Sequence, residues 1–346
     1  MYTQVRQATQ TLLTNDDPAT IQATIQQLHG LFSDATGVRG DQPMPDQTTD
    51  TFLPNGRAIS PGGAAACLLD LHRTVQFLRG THAAIEAALQ RFPEQPIHIV
   101  YAGCGPFALL LLPLTTIFSS QQIQISLIDI HKMALDSVRK LVADLSADEH
   151  IYAYHQLDAT TYAHPPHLPL HMVVSETMAY ALQNEPQVAV MRHLAPQLTL
   201  GGFLIPQAIT IDACLSDPQL ERVYTLKKLD EYGFPLGSNG RFSHRLHLGT
   251  VLKLDADTLL EMHKTADQET YPLGTLTIPP YAPQLSQYLH LTHIQVFEEA
   301  VLTDYQSGLT DPRSVGALGG LASGTEIQFH YAFAGVPGIY QQITPS

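Results

Sequence analysis

Two glutamates that follow a short apolar strand are the residues of this chain with the clearest chemical meaning. Glu176 comes just after the apolar run at 171–174, and Glu185 lies nine residues further along the same loop. Ligands of open parallel sheets bind beyond the carboxyl ends of the strands, so one pocket is expected to hold both side chains. Two carboxylates in one pocket are costly unless a cation lies between them. A guanidinium suits this pair, because it is planar, permanently charged and offers paired N–H donors.

A glycine-rich turn marks a second candidate site. Gly103 and Gly105 follow a β-branched run at 97–102 and precede a predicted helix that includes 109–112. Glycines let a ligand approach the backbone closely, and a helix N-terminus favours negative charge. Asp129 ends the next strand, 24 residues after Gly105, where a carboxylate can accept hydrogen bonds from ribose hydroxyls. This pattern alone fits a nicotinamide dinucleotide and S-adenosylmethionine equally well.

The residues around the two glutamates distinguish between these cofactors through a family resemblance. The segment 175–185 reads Ser-Glu-x-Met-x-Tyr-x-Leu-x-x-Glu and resembles the double-glutamate loop of protein arginine methyltransferases. The segment 68–74, Leu-Leu-Asp-Leu-His-Arg-Thr, resembles that family's M-L-x-D-x-x-R-T helix. The segment 200–206, Leu-Gly-Gly-Phe-Leu-Ile-Pro, resembles its G-G-x-x-x-P strand. The resemblance covers residues 64–210, with the motifs in the family's order.

The resemblance implies that S-adenosylmethionine is the cofactor and which residues contact it. Arg73 would pair with the carboxylate of the methionyl group. Gly103 and Gly105 would pass beneath the sugar and the methionyl portion, and Asp129 would hold the ribose hydroxyls. Asp158, at the end of the third strand, would lie near the adenine.

The same resemblance implies a guanidino substrate. Glu176 and Glu185 would hold the guanidinium, with Met178 and Tyr180 as further substrate contacts. Methyl transfer then depends mainly on alignment of the reacting nitrogen with the methyl group, which can supply ~7–11 kcal/mol.

A third segment of the family, the Thr-His-Trp loop, has a weaker counterpart. The segment 291–297, Leu-Thr-His-Ile-Gln-Val-Phe, resembles it with Ile294 in place of tryptophan, but also fits a plain strand. By resemblance, His293 would pair with Asp70, and the two would accept the proton that leaves the guanidine.

The order of predicted elements indicates an α/β protein. Helices are predicted at 2–13, 18–33 and 62–91, and strands and helices alternate between 97 and 205. This rhythm predicts a Rossmann-like, mostly parallel sheet with helices on both faces, as in class I methyltransferases. An antiparallel, barrel-like β-rich region with one helical piece at 218–229 is expected to follow. Three parts are expected: an N-terminal helical segment and linker at 1–60, an S-adenosylmethionine-binding domain at 61–206, and a substrate and dimerisation domain at 207–346.

Composition excludes several classes of function. Only 14% of the 346 residues are charged, and the formal net charge is −14. Nonspecific binding to nucleic acid or to an anionic membrane is therefore not expected, because both need clustered cations. The cysteines Cys67, Cys104 and Cys214 fit no zinc pattern and are interpreted as reduced thiols. The N-terminus opens with no apolar segment, so a cytoplasmic protein is expected. The spacing of the cysteines and histidines predicts no bound metal.

These observations predict an S-adenosylmethionine-dependent N-methyltransferase that acts on a guanidino group. Free L-arginine, or a similar small molecule in natural-product biosynthesis, is the expected substrate, and the resemblance implies a homodimer. Two alternatives stay open: an arginine in a peptide or protein, and another nitrogen or oxygen nucleophile. A nicotinamide-dependent oxidoreductase would account for residues 97–130 but would leave the two glutamates unexplained.

Overall fold

The computed structural model describes residues 1–230, 245–265, 267–315 and 322–344. The α-helices in these residues are α1 (Tyr2–Thr14), α2 (Pro18–Thr36), α3 (Pro61–Ala66), α4 (Leu71–Arg91), α5 (Lys132–Asp144), α6 (Gln187–Leu194), α7 (Pro218–Asp230) and α8 (Ala256–Lys264). The strands are β1 (Thr51–Leu53), β2 (Gly56–Ala58), β3 (Ile97–Ala102), β4 (Ile123–Asp129), β5 (Ile151–Gln156), β6 (Met172–Ser175), β7 (Phe203–Ile205), β8 (Ala208–Ser216), β9 (Arg245–Leu254), β10 (Thr270–Thr277), β11 (Gln287–Phe297), β12 (Ala300–Leu302), β13 (Arg313–Ser314), β14 (Glu326–Ala332) and β15 (Gly338–Thr344). Among these helices, none is long and apolar enough to cross a membrane.

A five-stranded parallel sheet forms the centre of the molecule. Its strand order is β5-β4-β3-β6-β7, and every neighbouring pair is parallel. Residues of β3, β4 and β6 are almost all buried, as expected for a parallel sheet covered by helices. Helices α4, α5 and α6 pack against these strands. The predicted fold class is confirmed: an open Rossmann-like sheet follows N-terminal helices and precedes an antiparallel β-rich region.

Capping residues define the bounds of α2 and the start of α4. Asp17 caps α2 by accepting a hydrogen bond from the backbone N–H of Thr20. Gly37 ends the helix with φ of 77°, a left-handed conformation that glycine adopts without strain. The predicted continuous helix at 62–91 is divided, because Asp70 is extended and caps a new helix, α4.

The helix predicted after the glycine-rich turn is wrong. Residues 105–112 form successive turns, and a short 3₁₀ helix, Pro113–Thr116, follows them. Ala108 has φ of 41°, which interrupts a right-handed helix, and Pro113 cannot donate a backbone hydrogen bond. The turn therefore lacks the helix N-terminus that was expected to favour an anion there.

Two antiparallel sheets follow β7. One has the order β12-β11-β8-β9, with β13 paired to β11, and the other has the order β10-β14-β15. The helical piece predicted at 218–229 corresponds to α7, but the prediction missed α8. Asp255 caps α8 through the backbone N–H of Thr258, and Leu259 and Met262 are buried. An apolar pair on a short polar helix is a weak pattern, which explains the omission.

Candidate active site

A cavity of about 320 Å³ lies at the carboxyl ends of the parallel strands, where ligands of such sheets bind. Nine of the eleven site residues predicted from the sequence line it: Arg73, Gly103, Gly105, Asp129, Asp158, Glu176, Met178, Tyr180 and Glu185. Asp70 and His293 do not line it. Within the described residues, no group of three His, Cys, Asp or Glu side chains is placed to hold a metal ion.

The glycine-rich turn forms one wall of the cavity. Gly103 has φ of 70° and Gly105 has φ of 62°, a region that favours glycine. A Cβ atom at position 103 would lie only 2.2 Å from Cγ2 of Thr177, in the double-glutamate loop. The turn therefore depends on glycine both for its backbone conformation and for its close approach to the neighbouring loop.

Two aspartates, one at the end of β4 and one just beyond β5, organise the adjacent wall. The carboxylate of Asp129 is buried and accepts hydrogen bonds from the backbone N–H of Gly105 and of His131, each at 2.8 Å. It thus ties the end of β4 to the glycine-rich turn. Asp158 caps a short 3₁₀ helix by accepting hydrogen bonds from the backbone N–H and the hydroxyl of Thr160.

Glu176 follows β6 and forms an ion pair with Arg73 of α4. Its other carboxylate oxygen, Oε1, is buried and has no hydrogen-bond partner among the described residues. A buried carboxylate oxygen without a donor is unusual, since the loss of hydration is uncompensated. This oxygen is therefore a natural acceptor for a ligand that carries N–H groups.

Glu185 contacts a second arginine. Oε1 of Glu185 lies 3.4 Å from Nη2 of Arg57, and Nη1 of Arg57 lies 3.3 Å from Oδ2 of Asp50. Burial raises the pKa of the Glu185 carboxyl, and the charges of Arg57 and Arg73 oppose that shift. Both glutamates of the loop thus hold a guanidinium group of the chain itself.

The double-glutamate loop is held in a strained conformation by distant segments. Ala181, Leu182 and Asn184 have φ between 51° and 66°, which is uncommon for residues other than glycine. The backbone N–H of Ala181 donates to Oγ1 of Thr292 at 3.0 Å, and the hydroxyl of Tyr331 donates to the carbonyl of Leu182 at 2.8 Å. Such strain persists only where the surroundings impose it, and it is typical of functional sites.

A β-hairpin, β1–β2, contributes Leu53, Arg57 and Ala58 to the lining of the cavity. On one side, Oγ1 of Thr51 lies 3.0 Å from Nε2 of His131. On the other side, the backbone N–H of Arg57 donates to the carbonyl of Asn184 at 2.7 Å. The prediction assigned this part of the chain to the linker within 1–60 and missed Arg57. The Asn55-Gly56 pair is a hairpin signal that could have located it.

The predicted pairing of Asp70 with His293 is wrong. Oδ1 of Asp70 caps α4, and Oδ2 accepts hydrogen bonds from the hydroxyl of Ser307 and from the backbone N–H of Gly308, at 2.7 and 3.1 Å. Thr292 and His293 point to opposite faces of β11, because side chains alternate along a strand. Thr292 faces the double-glutamate loop, so His293 faces away from it.

His293 instead joins a buried charged cluster. Its Nε2 lies 3.1 Å from Oδ1 of Asp304, and its Nδ1 lies 3.6 Å from Oδ2 of Asp212. Asp304 also pairs with Arg245, whose side chain is fully buried. Burial alone would lower the pKa of His293, but the hydrogen bonds and charges of the two aspartates raise it to about 9.

This raised pKa predicts a pH-dependent contribution to stability. A histidine whose pKa rises on folding stabilises the fold fully below its unfolded pKa, ~6.5, and loses that effect as the pH rises through about 9. His293→Gln should therefore lower the free energy of unfolding more at pH 6 than at pH 10, by about 1–2 kcal/mol after allowance for partial exposure.

Urea denaturation of the wild type and of His293→Gln between pH 6 and pH 10 would measure the difference in their free energies of unfolding. His82→Gln is a matched control, because His82 lies beside a single exposed glutamate, Glu86, on α4. The prediction would be contradicted if His293→Gln lowered the free energy of unfolding by the same amount at every pH.

Comparisons with known proteins add little to this description. No family model and no curated protein matches the chain. Among solved structures, the chain resembles a Trypanosoma brucei PRMT1 enzyme–prozyme heterotetrameric complex with AdoHcy. The TM-score is 0.48 and the sequence identity 13%, over 80% of this chain and 95% of that chain. The case for function therefore depends on the cavity and its residues.

Proposed function

We propose that this protein is an S-adenosylmethionine-dependent N-methyltransferase that acts on a guanidino group. One observation carries this proposal. Two glutamates of one strained loop line the cavity, and each already holds an arginine guanidinium of the chain, Arg73 or Arg57. These contacts support the view that the loop is shaped to bind guanidinium groups, as carboxylates match the paired donors of that group.

The residues of the cavity fit the proposed cofactor. Gly103 and Gly105 line the cavity without a side chain, so a ligand can approach their backbone closely. Asp129 is positioned at the end of β4 to share its carboxylate with ribose hydroxyls, and Asp158 lines the cavity beyond β5. Arg73 supplies a cation for a carboxylate. When bound, S-adenosylmethionine supplies a methyl group on a sulfonium, which a guanidine nitrogen can attack.

Arg73 links the two halves of the proposed site. A carboxylate of the cofactor would compete with Glu176 for this guanidinium. Once Arg73 has a new partner, both oxygens of Glu176 can accept N–H groups from the substrate. Glu176 would then be available to the substrate only after the cofactor binds, so the cofactor is proposed to bind first.

The glutamates would orient the substrate and receive its proton. Contacts from both carboxylates would restrict rotation of the guanidinium and offset its charge near a sulfonium. The attacking nitrogen gains a methyl group and must lose a proton. We assign the acceptor role to Glu185, because its buried position raises the pKa of its carboxyl. This replaces Asp70 and His293, which lie outside the cavity.

Free L-arginine, or a similar small guanidine in a biosynthetic pathway, is the proposed substrate. Residues of the hairpin β1–β2 line the cavity, and its volume of about 320 Å³ favours a compact ligand. Arginine within a peptide is the second candidate, because the likeness of 175–185 is to enzymes that modify protein arginine. A cytoplasmic homodimer remains part of the proposal.

The proposal is tested by a reaction with S-adenosylmethionine and either free L-arginine or an arginine-containing peptide, followed by mass spectrometry. A gain of one methyl mass on free arginine is the expected result. Methylation of the peptide alone would establish the second candidate. Cofactor binding without a methyl gain on either substrate would contradict guanidine methylation.

A further inference from the structure

An exposed arginine stacks on a residue that lines the cavity. Arg313, on the short strand β13, has its guanidinium carbon 3.5 Å from the centre of the Tyr180 ring. Tyr180 lies between the two glutamates in the strained loop and lines the cavity. The 3₁₀ helix Gly308–Thr310, shortly before Arg313 in the chain, contributes Gly308 and Leu309 to the same wall. Arg313 does not itself line the cavity, but its contact with Tyr180 places its guanidinium one side chain away from the cavity, at its rim.

The charge balance of the rim distinguishes Arg313 from the other arginines near the cavity. Arg73 pairs with Glu176, and Arg57 lies between Glu185 and Asp50. Arg313 forms no ion pair with any carboxylate in the parts of the chain that the structure describes. It is also exposed on a protein whose formal net charge is −14, where most cations can find an acidic neighbour.

Stacking leaves the guanidinium N–H donors of Arg313 without a hydrogen-bond partner among the described residues. A guanidinium that lies over an aromatic ring contacts it through its flat face, so its N–H donors point outward in the plane. Two of those donors match the oxygens of a carboxylate in a bidentate pair. The ring fixes the position of the group in advance, which reduces the entropy lost when an anion binds.

We propose that Arg313 binds the carboxylate of the substrate and thereby selects a free guanidino acid. This inference rests on the proposed function, because Glu176 and Glu185 would hold the guanidinium at the other end of the ligand. Tyr180 lies between the two glutamates in the chain and stacks on Arg313, and the part of its side chain that lines the cavity offers an apolar surface to the short aliphatic chain of such a ligand. An arginine within a peptide has no free α-carboxylate and gains nothing from Arg313.

Binding of four small guanidines tests this inference without requiring turnover. L-arginine and 4-guanidinobutyrate carry a free carboxylate, whereas agmatine lacks it and L-arginine methyl ester masks it. Each is titrated calorimetrically into the protein saturated with S-adenosylhomocysteine. Arg313→Gln is expected to raise the Kd of the two acids about 10-fold to 100-fold and to change the Kd of agmatine and the ester less than about 3-fold. For Arg313→Lys, the Kd of the two acids should lie between the values for the wild type and for Arg313→Gln, because lysine keeps the charge but not the paired donors.

Arg139→Gln is the matched control, since Arg139 also stacks on a tyrosine, Tyr154, and neither of these two residues lines the cavity. It should leave all four affinities unchanged. The inference would be overturned if Arg313→Gln weakened the binding of all four ligands equally. It would also be overturned if the wild-type protein did not bind the two acids more tightly than agmatine and the ester. Selective binding of the acids without methyl transfer would overturn the proposed function alone. If none of the four ligands binds to the wild-type protein, neither idea survives.

Discussion

Glu176→Gln and Glu185→Gln should each lower kcat for guanidine methylation about 100-fold to 1,000-fold while binding of S-adenosylmethionine persists. Each change keeps the shape of the side chain but removes a charge that would orient the guanidinium and balance the positive charges that meet in the cavity. Glu185→Gln also removes the proposed proton acceptor. The two variants should differ in cofactor affinity, because only Glu176 pairs with Arg73. Release of Arg73 predicts that Glu176→Gln binds the cofactor at least as tightly as the wild type.

Steady-state kinetics with a saturating substrate and calorimetric titration of the cofactor provide the two measurements. Glu86→Gln, an exposed glutamate on α4, controls for the loss of one negative charge. Near-normal turnover in both loop variants would show that the glutamates do not hold the reacting group. A loss of cofactor binding in Glu176→Gln would instead show that its pairing with Arg73 supports the cofactor site, contrary to the proposed exchange of partners.

The sequence located most of the cavity because its residues carry local signals. Glu176 follows a buried strand directly, and Asp129 ends one, so the topology of a parallel sheet places both at the same edge. Gly103 and Gly105 belong to a turn whose conformation requires them. Each of these assignments depends on where a residue lies within a single strand or turn. The hydrophobic pattern of the strands and the turn-forming residues between them indicate such positions directly.

Two of the errors occurred where the answer depends on contacts between distant segments. Arg57 reaches Glu185 across 128 residues of chain, and no local pattern in the first hairpin indicates that partner. Whether His293 faces the cavity depends on the register of β11 against the double-glutamate loop, and a shift of one residue reverses every side chain. The resemblance at 291–297 identified the correct strand, but Thr292 is the residue that contacts the loop.

The missing helix after the glycine-rich turn shows how backbone strain can override composition. Residues 108–112 are apolar and favour a helix by propensity, yet Ala108 adopts a left-handed conformation. Without a helix N-terminus, the turn cannot use aligned helix dipoles to favour an anion. More of the binding energy for a nucleoside must therefore come from side chains, and Asp129 is the buried carboxylate at that position.

Asp129→Ala is accordingly expected to raise the Kd of S-adenosylmethionine about 100-fold. The carboxylate would accept hydrogen bonds from the ribose, and it also fixes the backbone N–H groups of Gly105 and His131 at 2.8 Å. Its removal therefore costs both a direct contact and the shape of the turn. Asp129→Asn keeps one acceptor oxygen and should show a smaller loss, about 10-fold.

Asp158→Ala provides the comparison that separates these effects. Asp158 also lines the cavity, but its carboxylate caps one short 3₁₀ helix through Thr160 and does not hold the glycine-rich turn. A loss of cofactor affinity of only a few fold is expected there.

Thermal melts of all three variants would show whether the fold persists. If Asp129→Ala stays folded and binds the cofactor as tightly as the wild type, the turn at 103–105 does not hold the nucleoside, and the cofactor assignment must be abandoned. The expected loss of cofactor affinity is largest for Asp129→Ala, smaller for Asp129→Asn and smallest for Asp158→Ala. That order would support both roles of the Asp129 carboxylate, the contact with the ribose and the support of the turn, because Asp158 does not hold the turn.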